Sequence, residues 1–150
     1  MPEEEAVVER AHEDEREGKS PSTQADEFVR EEMEHIREGE HGARSPEQAI
    51  AIGLSKARRA GVKLPPPKRG KTRTKRQAKR ELAKGRAGSR RKPSTKRSRA
   101  TKRALKRESR RSASKRALSR HAKRVAKRRP ARSRSAAAKK AARTRKRRRR

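Results

Sequence analysis

The chain has no cysteine, tryptophan or tyrosine, and its one aromatic residue is Phe28. Without cysteine there can be neither a disulfide framework nor a thiolate metal site, which suits a reducing compartment. Without stacking platforms, sequence-selective reading of single strands or RNA is disfavoured. No window approaches the roughly 18 apolar residues that a bilayer-spanning helix needs. The opening MPEEEAVVER is acidic where a secretory signal would be basic and then apolar. A cytoplasmic location and no membrane partner are therefore expected. Large apolar side chains are scarce as well: a hydrophobic fraction of 26%, much of it alanine, leaves little to build a core from.

What the sequence has in abundance is charge, divided sharply along its length. Residues 1–50 hold 16 acidic and 6 basic side chains, whereas residues 51–150 hold 45 basic ones and only two acidic, Glu81 and Glu108. The formal net charge of +33 is thus an average over two opposite polymers. Like-charge blocks of this length usually stay solvated and act as interaction arms. The fold class expected is mostly disordered plus all-α: a small N-terminal helical hairpin followed by a long, basic, low-complexity tail that becomes partly helical when bound.

Helices are predicted at about residues 5–17, 22–38 and 46–60. The first has only Val7, Val8 and Ala11 as apolar content and reads as a frayed, solvated helix. In the second, Ser20, Ser22 or Thr23 can cap the start and Gly39 the end, and Ala25, Phe28, Val29, Met33 and Ile36 form one apolar stripe. The third, in SPEQAIAIGLSKARRAGV, has agreeing start and stop signals. Ser45 and Gln48 suit a capping box, Pro46 suits the first helical position, and Gly61 followed by Val62 suits a Schellman stop. Ile50, Leu54 and Ala57 share a face with Gly53, which allows a neighbouring helix to approach closely. The connection GEHGAR is short enough to fold this helix back on the second as an antiparallel pair. Phe28, Val29, Met33, Ile36, Ile50, Leu54 and Ala57 are the expected packing or partner face, available to a homodimer or a protein partner. Alone this pair is marginal, and the first helix laid across it is one remedy.

Three regions follow: an acidic-to-amphipathic head, residues 1–64; a proline-rich linker, 65–70, where Pro65 to Pro67 forbid helix; and a basic tail, 71–150. KREL at 79–82, KRAL at 102–105 and 115–118, and KRVA at 123–126 recur at irregular spacing, so no solenoid is implied. Lysine, arginine and alanine favour helix, but neighbouring cations repel, and the free tail is expected to be coil. Once neutralised, it would form helices bounded by Gly70, Gly85, Gly88, Pro93 and Pro130.

The cations expected to meet phosphate begin with Lys56, Arg58 and Arg59 at the end of the third helix. Lys68, Arg69, Lys71, Arg73, Lys75, Arg76, Lys79 and Arg80 follow the prolines. Next come Arg90, Arg91, Lys92, Lys96, Arg97, Lys102, Arg103, Lys106 and Arg107. Arg110, Arg111, Lys115, Arg116, Lys123, Arg124, Lys127, Arg128 and Arg129 continue the series. Arg132, Arg134, Lys139, Lys140, Arg143, Arg145, Lys146, Arg147, Arg148, Arg149 and Arg150 end it. Duplex DNA carries about one negative charge per 1.7 Å of axis, and each phosphate engaged releases condensed counterions. No zinc-finger spacing, recognition-helix pair or basic zipper is visible, so binding is expected to be to phosphates and without base specificity. Arginine clusters favour bidentate phosphate contacts and minor-groove insertion. Serines beside arginine, as in RSRS at 132–135, are points where phosphorylation would lower the charge.

Enzymatic chemistry is not expected. His35 and His41, with Glu38 and Glu40, are the only histidine–carboxylate cluster, and their six-residue spacing across Gly39 matches no helical ligand pair. No catalytic residue, metal or cofactor is therefore assigned. GKSPST and HGARS have glycine beside basic and hydroxyl residues but follow no predicted strand, which makes them weak phosphate loops.

Residues 27–70, with HGARS and QAIAIGLSKARRAG as their most specific part, resemble a small uncharacterised bacterial domain family with no established activity. The resemblance implies a bacterial cytoplasmic protein and supplies no catalytic residues. The tail is similar in composition to the lysine- and alanine-rich arms of bacterial linker-histone-like proteins. Together these readings lead to a nucleoid-associated, histone-like protein that binds and compacts DNA, DNA being preferred over RNA as the partner. An RNA- or ribosome-associated basic protein is the alternative, as is an interaction module whose head binds a protein while the tail anchors it to the nucleoid.

Overall fold

The computed structural model describes residues 2–88 and 94–148. Among these residues it contains seven α-helices and one 3₁₀ turn: α1 Pro2–Arg16, α2 Pro21–Glu38, α3 Pro46–Arg59, α4 Thr72–Arg86, α5 Thr95–Lys106, η1 Arg110–Ala113, α6 Lys115–Arg128 and α7 Ala131–Arg148. They fall into two compact units, Met1–Ser114 and Lys115–Arg150.

The expectation of a mostly disordered chain is overturned, because helix runs through the basic region as it does through the acidic one. The residues there are strong helix formers, and the chain breaks where glycine and proline demand it. α4 starts just after Gly70, α6 stops before Pro130, and α7 starts after it. Repulsion between cations is outweighed by that propensity, joined at α4 by docking on α3. Charge changes sign near residue 51, but packing changes only after Ser114.

In the first unit, α2 and α3 pair most extensively, and their ends follow the sequence signals. Ser20 Oγ accepts from the Thr23 amide at 3.4 Å, and Gly39, at φ 93°, closes α2. Ser45 Oγ accepts from the Gln48 amide at 3.3 Å. The Gln48 side chain reaches one residue further back than a capping box requires, accepting from the Arg44 amide at 2.8 Å. At the other end the Val62 amide donates to Ala57 O at 3.1 Å and that of Gly61 to Arg58 O at 3.2 Å, the Schellman pattern. Gly53 lies against Val29, where an added Cβ would stand 2.7 Å from the Val29 Cα. Only glycine lets the two backbones come that close.

α1 is not the frayed helix its composition suggests. Val7 and Ala11 are buried with Ala25, Phe28, Ala57 and Val62 in the core, and Val8, Leu54, Ala60 and Leu64 lie around it. Two apolar positions one turn apart suffice because the α2–α3 pair leaves an apolar face that needs cover. Of the expected packing face, Phe28, Met33, Ile36 and Ala57 are buried, whereas Val29, Ile50 and Leu54 are half-buried. The core is therefore small, and alanine does much of its filling.

Two further pieces of the basic region complete this unit. α4 sets Ala78 and Glu81 against α3, and Gly85 lets it pass so near the Arg58 carbonyl that a side chain there would overlap it. η1 packs on α2 and α3 with Ser112 and Ala113 buried. The Gly42 amide donates to Leu105 O at 2.9 Å and the Ala43 amide to Ser109 O at 3.2 Å. Arg37 Nε donates to Ala113 O at 3.0 Å. The HGAR loop is thus hydrogen-bonded to a segment more than sixty residues downstream.

In the second unit α6 half-buries Ala117, Leu118 and His121 and exposes Val125, while the described side chains of α7 are all exposed. Among the described residues no helix is long and apolar enough to cross a membrane.

Candidate nucleic-acid interface

The cations predicted to meet phosphate divide into those the fold uses and those it leaves in solvent. At the end of α3, Arg58 is buried at 7% exposure. Its Nε donates to Leu64 O at 3.3 Å and its Nη1 lies 3.6 Å from Glu81 Oε2. Glu81 also accepts from Ser55 Oγ at 2.6 Å and from Gln77 Nε2 at 3.0 Å. A guanidinium held this way between α3 and α4 is a strut and not a phosphate ligand. Lys56 is half-buried, its Nζ 3.0 Å from Glu32 Oε2. Arg59 is exposed and donates to Ser55 O and Oγ at 3.3 and 3.1 Å.

From Lys68 onward the described cations are outward-facing. Lys68, Arg69, Lys71, Arg73, Arg76, Lys79 and Arg80 are exposed, and Lys75 is half-buried. Every lysine and arginine from Thr95 to Arg147 is exposed as well. Arg90, Arg91, Lys92, Arg149 and Arg150 lie outside the described residues. α7 is 18 residues long, hence about 27 Å, and carries nine cations, about one per 3 Å of its axis. That density matches the phosphate spacing along one strand of the duplex, about 3.4 Å.

The two acidic residues of the basic half have a role that composition did not reveal: each marks a place where that half docks. Glu81 takes the buried Arg58, and Glu108 Oε1 stands 3.7 Å from Arg44 Nε. Their isolation among 45 cations was the signal available in the sequence. The unit Lys115–Arg150 contains 19 lysines and arginines and no acidic residue, so nothing within it neutralises the charge.

Elsewhere in the first unit several carboxylates pair with cations of the same unit. Arg10 pairs with Glu27 at 3.0 Å and Arg16 with Glu9 at 3.0 Å. The hydrogen bond and charge of Lys63 hold the Glu15 carboxyl below its ordinary range, while hydrogen bonds to Asp14 and Glu17 push the Lys19 ammonium up. Glu31 is the opposite case. Burial raises its pKa, and its Oε1 receives no hydrogen bond. It faces an open recess of about 160 Å³ beside Arg10, Glu34, His35 and Glu38.

The histidines are placed differently from what their spacing implied. Gly39 ends α2 and turns the chain, carrying His41 back over the helix, so that ligand atoms of Glu32, His35 and His41 all lie within 4.8 Å of one another. Straight-helix geometry argues against the His35–His41 pair, but it does place Glu32, three residues before His35, on the same face of α2, a spacing that was readable in the sequence.

A helical protein with a dense, solvent-facing cationic region is the class these features define. Within it, residues 20–69 match DUF6496, a family of unknown function. That segment spans α2, α3 and the proline linker, and it agrees with the uncharacterised domain expected from the HGARS region. No curated protein and no solved structure matches the chain.

Proposed function

We propose that this protein binds nucleic acid through its phosphates without reading base sequence, and that duplex DNA in the nucleoid, which it compacts, is its principal target. The observation that carries the proposal is the unit Lys115–Arg150, with 19 cations, no acidic side chain and every described cation exposed. No acidic side chain inside the unit can neutralise these charges, and their release of condensed counterions from a polyanion is strongly favourable. Without aromatic side chains in the basic half there are no aromatic platforms for unpaired bases, which favours duplex over single strands. The first unit contributes exposed cations on α4 and α5, but it is principally a folded body that pairs several of its acids with its own cations.

Gel-shift titrations on duplex DNA, single strands and structured RNA across salt test this. Affinity for duplex is expected to fall on the order of 10³-fold or more between about 50 and 200 mM salt, with little change when the sequence is varied. Tighter binding to structured RNA than to duplex at matched salt would reassign the target to RNA. Absence of binding at low salt, or binding that ignores salt, would overturn the reading.

A further inference from the structure

The cluster of Glu32, His35 and His41 has an electrostatic difficulty that a metal ion resolves. Glu32 is fully buried in the turn of α2 just before His35, and neither of its oxygens receives a hydrogen bond. Oε2 has the Lys56 ammonium 3.0 Å away. Oε1 faces His41 Nε2 at 3.3 Å. The other nitrogen of that ring, Nδ1, is 3.1 Å from the carbonyl oxygen of Gly42, and a carbonyl only accepts, so the proton of this hydrogen bond sits on Nδ1. In the neutral ring Nε2 is then a bare lone pair set against a carboxylate oxygen. Two such atoms at this distance repel unless a proton or a metal cation joins them.

We propose that Glu32, His35 and His41 bind one divalent transition metal of the zinc class, with Glu32 Oε1 and His41 Nε2 as two of its ligands. Zinc bonds to imidazole and carboxylate are about 2.0–2.1 Å long, which places tetrahedral ligands about 3.3 Å apart. The His41–Glu32 separation is already 3.3 Å, and the widest ligand pair, within 4.8 Å, closes with a small adjustment of the His35 ring. Two imidazoles and one carboxylate suit zinc, cobalt or nickel and suit magnesium or calcium poorly. A ligating histidine usually donates its second N–H to a carbonyl or carboxylate, as His41 does to Gly42. Glu40, whose Oε2 is 3.9 Å from His35 Nδ1, supplies a further carboxylate at the rim. Lys56 stays on Oε2, so the metal does not have to displace it. Bound there, the ion fastens the HGAR loop to α2, and the same loop holds Leu105 and Ser109 through its amides. This proposal is independent of the nucleic-acid reading.

The test uses the full chain, freed of nucleic acid in high salt and stripped with chelator, then titrated with Zn²⁺ by calorimetry. One equivalent is expected to bind at micromolar affinity or tighter, and Co²⁺ in its place is expected to give the intense visible band of a tetrahedral ion. His41→Ala and His35→Ala should each weaken binding on the order of 100-fold with helicity retained by circular dichroism, whereas His12→Ala on α1 should leave it unchanged. Because the chain has four histidines, ring NMR signals provide a second readout that needs no variant. Zn²⁺ is expected to shift those of His35 and His41 and to leave those of His12 and His121 in place. No saturable single equivalent, binding that survives both substitutions, or shifts at His12 or His121 instead would show that the cluster is an imidazolium–carboxylate ion pair and overturn the proposal.

Discussion

Residues 1–114 and 115–150 are built from similar helices, yet they solve opposite problems. The first unit has 18 acidic side chains among its charges and uses them: Glu81, Glu108 and Glu32 each receive a cation from another part of the fold. The second has none, and its described lysines and arginines are all exposed. A lysine- and arginine-rich sequence therefore docks where an occasional carboxylate offers a foothold, and stays open in residues 115–150, which have alanine in plenty but no carboxylate. Helix propensity is common to both; what separates them is whether a helix has anything to set down.

The contrast between the units is tested most severely at Phe28, the largest side chain of the small core. Phe28→Ala is expected to remove about 3–5 kcal/mol from the first unit, read as a lower denaturation midpoint and weaker amide protection in α1 to α3. Amide protection that survived this change would mean the unit does not depend on the core described. Next is Glu81→Ala, which leaves Arg58 buried without its countercharge. A destabilisation of about 3 kcal/mol is expected, with α4 the first helix to exchange its amides. Equal stability of the variant would show that α4 does not depend on the strut.

A smaller effect of opposite sign is expected at Glu31. Its folded-state pKa is raised by burial, so the folded form holds the proton more tightly than the unfolded one. The stability this provides is complete below the unfolded carboxylate range and is lost as pH rises through the folded value. Glu31→Gln should therefore stabilise the protein near neutral pH by on the order of 1 kcal/mol, the scale of an uncompensated buried polar atom. Thermal melts should converge with the unaltered chain as pH is lowered, and an advantage that persisted unchanged in acid would contradict the assignment. The smallest structural effect belongs to the second unit. Replacing Arg143, Arg145, Lys146 and Arg147 by glutamine should alter stability by less than about 0.5 kcal/mol. The logarithmic salt slope of DNA binding should nonetheless become shallower by roughly one for each phosphate that is no longer neutralised. A slope that stayed the same would place the DNA on other cations.

Much of the first unit was legible where local chemistry speaks plainly. Ser20, Ser45, Gly39 and Gly61 fixed the ends of α2 and α3, and the stripe through Phe28, Met33 and Ile36 identified the buried face. α1 was misread because Val7 and Ala11 make a weak stripe, and their burial depends on a surface that only the α2–α3 pair creates. The docking of α4 and η1 was hidden for a related reason. It rests on Ala78, Ala113, Gly85 and backbone hydrogen bonds, none of which stands out against an alanine- and glycine-containing background. In the Glu32–His35–His41 cluster the i,i+3 spacing of Glu32 and His35 was readable, whereas the return of His41 was hidden because Gly39 reverses the chain between the histidines. Of the cationic face, the exposure of nearly every described lysine and arginine followed from composition, and the withdrawal of Arg58 did not.

The hydrogen bond from Arg37 to Ala113 spans 76 positions of sequence. During synthesis the acidic helices emerge first and cannot be closed over by η1 until most of the polypeptide has left the ribosome. In that interval α1, α2 and α3 have each other and then α4 as long-range partners, and the face that η1 covers stays open. Slowing translation between Arg37 and Ala113 would prolong this half-assembled state, so the order of manufacture, as well as the finished packing, sets how long the nascent protein is vulnerable to proteolysis.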